Sequence, residues 1–354
     1  MRVATLTFQS ALNYGAVLQS YALKEAIRTL GHDCEVLNYE CPAIENSYRF
    51  FPAPITPRGI AAGLINYGER RRRKKVFADF GQKYLNLGQR LTPCDIAGAS
   101  ERYDAFVVGS DQVWNPKLTD NDSAYFLSFA EGKKRISYAA SAGNGIDDLL
   151  ACGPAIAEVS LFDHVSVRES DLAIKLGQLV ERYVPTVVDP VFLLDEGEWR
   201  AMAASKIEED AYVLAYGLHE ASVYDTAVGM AKKHGLRCVY VPQGRKTKCD
   251  GTRVEAPSVA EFLSLIEHAS AVVTDSFHVA SFSLLFERPL LVQLKTKYAG
   301  MNSRLTTLLK NVGVSDTVIL PQNDIPDIDY ANVKRRVARL CAASLEWLEK
   351  SLDE

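Results

Sequence analysis

The chain has 354 residues, of which 47% are hydrophobic and 24% are charged, and its formal net charge is −4. These values are ordinary for a globular protein and exclude an intrinsically disordered or fibrous chain. The negative net charge argues against a general nucleic-acid-binding protein, which would carry a basic face. Since a domain takes roughly 150 residues, the length allows two packed domains.

Several features bear on the compartment. The opening residues, MRVATLTF, lack the charged segment and apolar stretch of a secretory signal, and no run of 18 apolar residues occurs. The seven cysteines are scattered without a C-x-x-C pair, which is typical of reduced structural thiols. We therefore expect a bacterial protein that is cytoplasmic. The six histidines lack ligand spacing, so we predict no metal site and no cofactor.

The first elements in chain order predict a β-α-β unit. Residues 2–8 are typical of a buried strand, residues 14–30 carry apolar side chains at helical spacing, and residues 35–39 are typical of a second strand. The two strands should be parallel with a right-handed crossover. Residues 42–68 show no clear hydrophobic periodicity, so we assign them no secondary structure. Further buried strands are predicted at residues 105–108, 136–139, 165–167 and 184–188.

A second alternating series follows an interruption near residues 190–210. Its predicted strands are residues 211–216, 237–241, 271–274, 290–294 and 317–320, and its predicted helices are residues 222–234, 258–268, 279–286 and 303–311. Such alternation is the pattern of a doubly wound sheet. Residues 330–352 predict a long amphipathic helix that folds back across the first domain.

These patterns predict an α/β protein with two Rossmann-like doubly wound domains that face each other across a cleft. The first domain should cover residues 1–195, the second residues 196–329 and the C-terminal helix residues 330–354. Ligands bind at the carboxyl ends of the strands in such sheets, so polar residues that directly follow a strand are the candidate site residues.

The strongest local signal is Thr274-Asp275-Ser276-Phe277-His278, where a buried strand ends and a helix begins. Asp275 and Ser276 are good helix caps, and the free N–H groups of the first turn favour an anion. His278 in that turn is suited to bind a phosphate or to shuttle a proton. The alternative is a helix cap with a structural histidine.

A second signal is Gly109-Ser110-Asp111-Gln112-Val113-Trp114. Ser110, Asp111 and Gln112 offer a hydroxyl, a carboxylate and an amide at a strand end, which suits sugar hydroxyls or a general base. In the alternative reading, Asp111 bonds backbone N–H groups of a turn and Trp114 fills the core.

Two further strand ends carry polar residues. Arg168 is suited to grip a phosphate or carboxylate in bidentate fashion, although an Arg168–Glu169 ion pair that braces the domain is an equal alternative. Asn13 and Tyr14 follow the first strand and either contact a ligand or cap the helix. The loop is not G-x-G-x-x-G, so no dinucleotide site is indicated.

Basic residues lie in two places. Arg70, Arg71, Arg72, Arg73, Lys74 and Lys75 are consecutive and are either a solvated helix face or a contact for an acidic membrane surface or phosphorylated lipid carrier. Lys295 and Arg304 follow a predicted strand and are candidates for donor binding. If the basic run at residues 70–75 contacts lipid, the protein attaches peripherally to the inner face of the membrane.

Six segments in one order resemble the polysaccharide pyruvyl transferase family. They are N-Y-G-A-V-L-Q from residue 13, G-S-D-Q-V-W from residue 109, I-S-Y-A-A-S from residue 136, V-R-E from residue 167, V-D-P from residue 188 and T-D-S-F-H from residue 274. The resemblance runs from about residue 2 to about residue 312. The family usually has glycine after the motif histidine, where this chain has Val279, so we expect a less open helix start.

The resemblance implies a fold like that of GT-B glycosyltransferases, phosphoenolpyruvate as the donor substrate, and a carbohydrate acceptor, either free or lipid-linked, of a capsule, exopolysaccharide or cell-wall polymer. On this basis His278 and Arg168 would bind the donor, assisted by Ser276, Lys295 and Arg304. Asp111 would be the base and His278 the acid.

The expected acceptor contacts are Asn13, Tyr14, Ser110, Gln112 and Trp114. The alternatives are a GT-B glycosyltransferase that uses a sugar nucleotide and a non-catalytic carbohydrate-binding relative.

Overall fold

The computed structural model describes residues 1–50, 63–64, 67–143, 146–150, 153–244, 247–296, 302–321 and 324–354. The chain divides into two compact units. Unit 1 comprises Met1–Leu194 together with Leu340–Glu354, and unit 2 comprises Asp195–Arg339. The predicted strand at residues 290–294 and helix at residues 303–311 flank residues 297–301, which lie outside the described part.

Within its described residues, unit 1 contains a five-stranded sheet in which all neighbouring strands are parallel, in the order β2-β1-β3-β4-β5. The strands are β1 (Arg2–Leu6), β2 (Asp33–Val36), β3 (Ala105–Val108), β4 (Lys134–Ala140) and β5 (His164–Val167). The helices are α1 (Tyr14–Thr29), α2 (Pro42–Ser47), α3 (Tyr67–Phe80), α4 (Pro116–Thr119), α5 (Ile146–Leu150), α6 (Ala155–Ser160) and α7 (Ser170–Leu179). The connections from β1 leave in opposite directions, so the topological switch point lies between β1 and β3.

Within its described residues, unit 2 also contains a five-stranded parallel sheet, in the order β10-β9-β6-β7-β8. The strands are β6 (Tyr212–Tyr216), β7 (Arg237–Tyr240), β8 (Thr252–Arg253), β9 (Ala271–Thr274) and β10 (Leu290–Val292). The helices are α8 (Glu196–Met202), α9 (Ser222–His234), α10 (Val259–Glu267), α11 (Phe277–Leu285), α12 (Ser303–Val312), α13 (Ser315–Val318) and α14 (Tyr330–Asp353). Because Tyr216 pairs with Thr274, the loops after β6 and β9 begin side by side at the switch point.

The strands are short, nearly continuous apolar runs, as expected for parallel sheets that are covered on both faces. Ala105–Val108 and Ala271–Thr274 are buried along their whole length. Local signals start the helices around them: Asn13 caps α1 by accepting from Ala16 N, and Ser258 with Glu261 forms a capping box at α10. The prediction of two Rossmann-like α/β sheets is confirmed.

Two predicted strands are wrong. Residues 184–188 make only a single bridge, Val167 with Thr186, because Pro185 has no N–H for a ladder and Pro190 begins a 3₁₀ turn. Residues 317–320 contribute a turn of α13 and one bridge from Ile319 to β10, and Pro321 ends the pairing. The two-residue strand β8 was not predicted, since so short a strand has no period.

Helix α14 starts in unit 2 and ends in unit 1. Its last turns place Leu348 and Leu352, both fully buried, in the core that includes Val3, Leu23 and Ile27. Ser344 Oγ also accepts a hydrogen bond from Val188 N at 3.1 Å. The helix end is therefore part of the first sheet's packing.

The basic run lies on α3, and helical periodicity separates its members. Arg70 donates to the carbonyls of Arg49 and Phe50, Arg73 donates to the carbonyl of Leu12, and Lys74 lies over the Phe50 ring. Arg71, Arg72 and Lys75 are exposed. Only half of the run is thus a solvated face, and contact with an acidic membrane stays a prediction. Among the described residues, we find no helix long and apolar enough to cross a membrane.

Candidate functional site

The polar residues at the switch point of unit 1 form a buried network. Arg168, only 3% exposed, donates from Nη1 to Asp189 and from Nη2 to Asp111 Oδ1 at 3.3 Å. Ser110 Oγ donates to Asp189 Oδ2 at 3.0 Å. These bonds tie together the ends of β3 and β5 and the turn at Asp189.

The electrostatics of this network are those of an internal brace. Burial by itself would lower the pKa of Arg168, but the carboxylates of Asp189 and Asp111 raise it. The guanidinium is therefore held between two carboxylates, the charge of Glu169 acts on it in the same direction, and Glu169 also accepts a hydrogen bond from the hydroxyl of Ser141. Sequence reasoning offered Glu169 as the partner of Arg168, and the structure adds ion pairs with Asp189 and Asp111. The donor-binding role of Arg168 and the base role of Asp111 stay predictions.

The glycine that precedes this network is required by its backbone. Gly109 has φ +112°, and a Cβ there would lie 2.2 Å from the carbonyl oxygen of Tyr138. A side chain at this position would strain the backbone at the positive φ and would clash with the carbonyl oxygen. The absence of a side chain at Gly109 thus allows the neighbouring strand to approach closely.

The predicted acceptor contacts of unit 1 are largely internal. Trp114 is 1% exposed, stacks on Phe126 and donates to the carbonyl of Tyr125, so it lies in the core, and its contact with an acceptor stays a prediction. Tyr14 is likewise buried and packs against Phe77. Asn13 caps α1. The Ser110 side chain is fully buried, and Gln112 Oε1 accepts from the Asn115 amide at 3.0 Å.

In unit 2, Asp275 has a role that the sequence did not indicate. Its carboxylate accepts three successive backbone N–H groups of the loop after β6, from Leu218 at 2.6 Å, His219 at 2.7 Å and Glu220 at 2.9 Å. Such a row of N–H groups is a typical anion site, and here the anion is a side chain. Asp275 thus holds the β6 loop against the β9 loop, while Ser276 caps α11 through Val279 N.

His278 lies in the first turn of α11. It is 8% exposed, and its ring meets Phe277 edge-on with 5.2 Å between centroids. Val279, which replaces the family's usual glycine, is 1% exposed and packs in the interior. The strand-to-helix junction that sequence predicted therefore exists, with His278 in the predicted turn.

The loop after β6 is fixed from a second direction. Tyr224 on α9 donates its hydroxyl to Gly217 O at 2.9 Å and accepts from Gly217 N at 3.3 Å. A Cβ at Gly217 would lie 3.1 Å from the Tyr224 ring and 3.2 Å from the Glu220 carbonyl oxygen. The backbone therefore turns tightly here, with little room for any side chain at Gly217.

A buried cationic cluster lies beside this loop. Lys295 is 6% exposed and Arg304 is 9% exposed. Burial, followed by the charge of Arg304, lowers the pKa of Lys295 to about 8, while Asp275 and Glu220 oppose the shift. Asn302 fixes the segment by bonding both the N–H and the carbonyl of Lys295, at 2.8 and 3.0 Å.

His219 and Glu220 connect the cluster to the β6 loop. Partial burial and the charge of Lys295 lower the pKa of His219, which favours its neutral imidazole form. Glu220 Oε1 accepts from Thr296 N at 3.3 Å. Neither residue was predicted as a site residue, although both directly follow a buried strand, which is the rule that identified the other candidates.

An open cavity of about 470 Å³ adjoins these residues, entirely within unit 2. It lies between the loops after β6 and β7, and its lining includes His219, Glu220, Asp225, Gln243 and Lys248. A fixed loop, a cationic cluster and a cavity of this size are together suited to hold a small anion next to a polar organic molecule.

Comparison with solved structures shows the fold. A Listeria monocytogenes protein described as a UDP-N-acetylglucosamine 2-epimerase aligns with a TM-score of 0.52 at 10% identity, covering 99% of this chain and 90% of that one. The UDP-GlcNAc 2-epimerase of Methanocaldococcus jannaschii aligns with a TM-score of 0.49 at 13% identity, covering 96% of this chain and 92% of that one. Escherichia coli heptosyltransferase WaaC aligns with a TM-score of 0.41 at 14% identity, covering 96% of this chain and 99% of that one.

Sequence comparison is more specific. A search of the curated proteins found no match. The model of the polysaccharide pyruvyl transferase family, however, matches residues 13–292, most of the chain, and that span includes all six segments on which the resemblance rests. The chain therefore belongs to the polysaccharide pyruvyl transferase family.

Proposed function

We propose that this protein transfers a pyruvyl group from phosphoenolpyruvate to a sugar of a bacterial capsule, exopolysaccharide or cell-wall polymer precursor. Membership of the family supports the reaction class. The observation that carries the donor assignment is the burial of Lys295 beside Arg304, since two buried cations in one place favour the binding of an anion. Phosphoenolpyruvate carries a phosphate and a carboxylate, which can pair with these two cations.

In this proposal, Lys295 and Arg304 bind the two anionic groups of the donor. The N-terminal turn of α11, with Ser276 and His278, contributes its dipole to the same region of unit 2. A guanidinium suits bidentate contact with a phosphate or carboxylate, whereas Lys295 acts as a point charge. The catalytic assignments of His278 as acid and Asp111 as base are part of the proposal.

The proposed chemistry has two additions at C2 of the donor. In the first, a sugar hydroxyl oxygen bonds to C2, the C2–C3 double bond becomes a single bond, and C3 takes a proton from an acid to become a methyl group. In the second, another hydroxyl of the same sugar bonds to C2 and the C2–O bond to phosphate breaks. Of the two hydroxyl protons, one replaces the proton given to C3 and the other leaves with phosphate.

The donor site is tested by Lys295→Ala and Arg304→Ala. Each should weaken phosphoenolpyruvate binding by roughly tenfold or more, because a charge-assisted contact contributes about 1.5–3 kcal/mol. Isothermal titration calorimetry measures this effect. Lys310→Ala is the matched control, because Lys310 is an exposed cation on the same helix as Arg304. Unchanged affinity in both site variants would refute the assignment.

The donor class is tested by thermal shift. Phosphoenolpyruvate should raise the melting temperature, whereas UDP and GDP sugars should not. The reverse result would favour a glycosyltransferase that uses a sugar nucleotide. Release of phosphate from phosphoenolpyruvate, measured with His278→Ala and Arg168→Ala in the presence of an acceptor, tests those two roles, and full activity in either variant would remove that residue from the mechanism.

A further inference from the structure

The cavity in unit 2 has a lining that differs in character from the cationic cluster beside it. Its polar groups include the carboxylates of Glu220 and Asp225, the amide of Gln243, the hydroxyl of Thr247 and the ring of His219. Carboxylates and amides accept hydrogen bonds from hydroxyl groups, and an amide also donates them. Two carboxylates disfavour a second phosphate here, despite Lys248 at the margin.

The cavity has the size of a small-molecule site, and one of its walls is fixed. A volume of about 470 Å³ lies within the usual range for small-molecule pockets. One wall, the loop after β6, is held by the three N–H bonds to Asp275 and by the Tyr224 hydroxyl. A wall that is fixed in advance loses little conformational entropy when a ligand binds.

The cavity and the cationic cluster have residues in common. His219 and Glu220 line the cavity, and both interact electrostatically with Lys295. A ligand in the cavity therefore lies next to a donor held by Lys295 and Arg304. His219 is the histidine at this junction, and the groups that face it are Lys295 and Arg304, Asp275 from the β9 loop, and Glu220 from its own loop.

We propose that this cavity is the acceptor pocket, that Asp225 and Gln243 bind the hydroxyl groups of a sugar there, and that His219, in place of Asp111, is the base for the attacking hydroxyl. The inference rests on the proposed function for the identity of the reaction. It moves the acceptor contacts from Tyr14, Ser110 and Trp114, which are buried in unit 1, to residues that border open space in unit 2.

In the proposed step, the imidazole of His219 takes the proton of the sugar hydroxyl as its oxygen bonds to C2 of phosphoenolpyruvate. The electron pair of the C2–C3 double bond forms a new C3–H bond with a proton from the acid, for which His278 is the candidate. The imidazolium of His219 then returns its proton to the departing phosphate when the second hydroxyl displaces it, and that second hydroxyl proton passes to the base form of the acid. Both residues finish the cycle in their starting states.

Binding is tested with the methyl glycosides of galactose, glucose and mannose as probes. Saturation-transfer NMR should detect at least one of them on the wild-type protein, and Asp225→Asn and Gln243→Ala should each weaken it by roughly tenfold or more. The thermal shift by phosphoenolpyruvate should not change in either variant. Glu209→Gln is the matched control, since Glu209 is exposed before β6, at the opposite end of the strand.

Catalysis is tested with His219→Gln. The variant should lose about a hundredfold in kcat, the usual contribution of a general base, and retain its affinity for glycoside and phosphoenolpyruvate within about twofold. His234→Gln, on the exposed end of α9, should keep full activity. A His219→Gln variant with wild-type kcat overturns the base assignment.

The outcomes separate the two proposals. If no glycoside binds the wild type, or if Asp225→Asn and Gln243→Ala bind it normally, the pocket assignment is wrong, and a retained response to phosphoenolpyruvate leaves the proposed function standing. If the variants lose glycoside while phosphoenolpyruvate neither binds nor releases phosphate, the pocket is a sugar site and the proposed function fails.

Discussion

At the scale of single residues, Lys295 is the group whose environment is most informative. A lysine that is 6% exposed next to an arginine has a charged form that is disfavoured on folding, and its pKa falls to about 8. Since the pKa in the folded protein lies below that in the unfolded chain, the energetic cost is fully present at pH values below 8. It is relieved as the pH rises through that value.

A bound anion should reverse this shift, because it favours the ammonium form. We therefore predict that the affinity for phosphoenolpyruvate falls as the pH rises above about 8, by roughly tenfold for each pH unit at most. Calorimetric titrations across this range measure the effect. In Lys295→Arg, whose side chain stays protonated, the dependence should flatten. A wild-type affinity that is constant over the same range would contradict the prediction.

At the scale of elements, the loop after β6 is held by contacts from two other segments. The carboxylate of Asp275, which follows β9, satisfies three of its N–H groups, and Tyr224 on α9 holds Gly217. The contact with Asp275 is remote in sequence and the contact with Tyr224 spans seven residues, and together they set where His219 and Glu220 lie. Residues far from a reacting atom can in this way determine a site's geometry.

We predict that Asp275→Asn loosens this loop. An amide has one acceptor oxygen where the carboxylate has two, and its NH₂ group cannot accept from a backbone N–H, so at least one of the three donors loses its bond. The expected loss of stability is about 2 kcal/mol, with faster amide exchange at residues 218–220. Hydrogen exchange with Glu209→Gln as control measures both quantities, and unchanged protection would show that Asp275 does not hold the loop.

At the scale of the whole molecule, the C-terminal helix α14 links the stability of unit 1 to a segment remote from it in sequence. Leu348 and Leu352 are fully buried in the core around Val3 and Ile27. The amphipathic pattern of residues 330–352 predicted a helix that folds back across the first domain, and the assignment of Leu340–Glu354 to unit 1 agrees with that pattern.

We predict that Leu348→Ala lowers the unfolding free energy of unit 1 by about 3 kcal/mol, because a buried leucine leaves a cavity. Hydrogen exchange should be faster in β1 and β3, the strands that this core covers. Glu346→Ala, an exposed position on the same helix, should leave both strands as protected as in the wild type. Equal protection in Leu348→Ala would mean that the helix end contributes little to unit 1.

Sequence reasoning determined the fold class, most elements and the family. Buried parallel strands leave continuous apolar runs and amphipathic helices leave periodic patterns, and both can be recognised locally. The segment from Thr274 to His278 was predicted as a strand-to-helix junction for the same reason, and Ser276 does cap the helix there. The predicted strands at residues 184–188 and 317–320 were wrong because proline outweighed an apolar run.

Only the tertiary structure decided which polar groups meet. Arg168 could pair with the adjacent Glu169 or with distant carboxylates, and the structure pairs it with Asp189 and Asp111. His219 and Lys295 lie far apart in sequence and become neighbours through the parallel order of β6, β9 and β10. Periodicity reports whether a side chain points inward, but the partner it finds depends on strand order and register, which are properties of the assembled sheet.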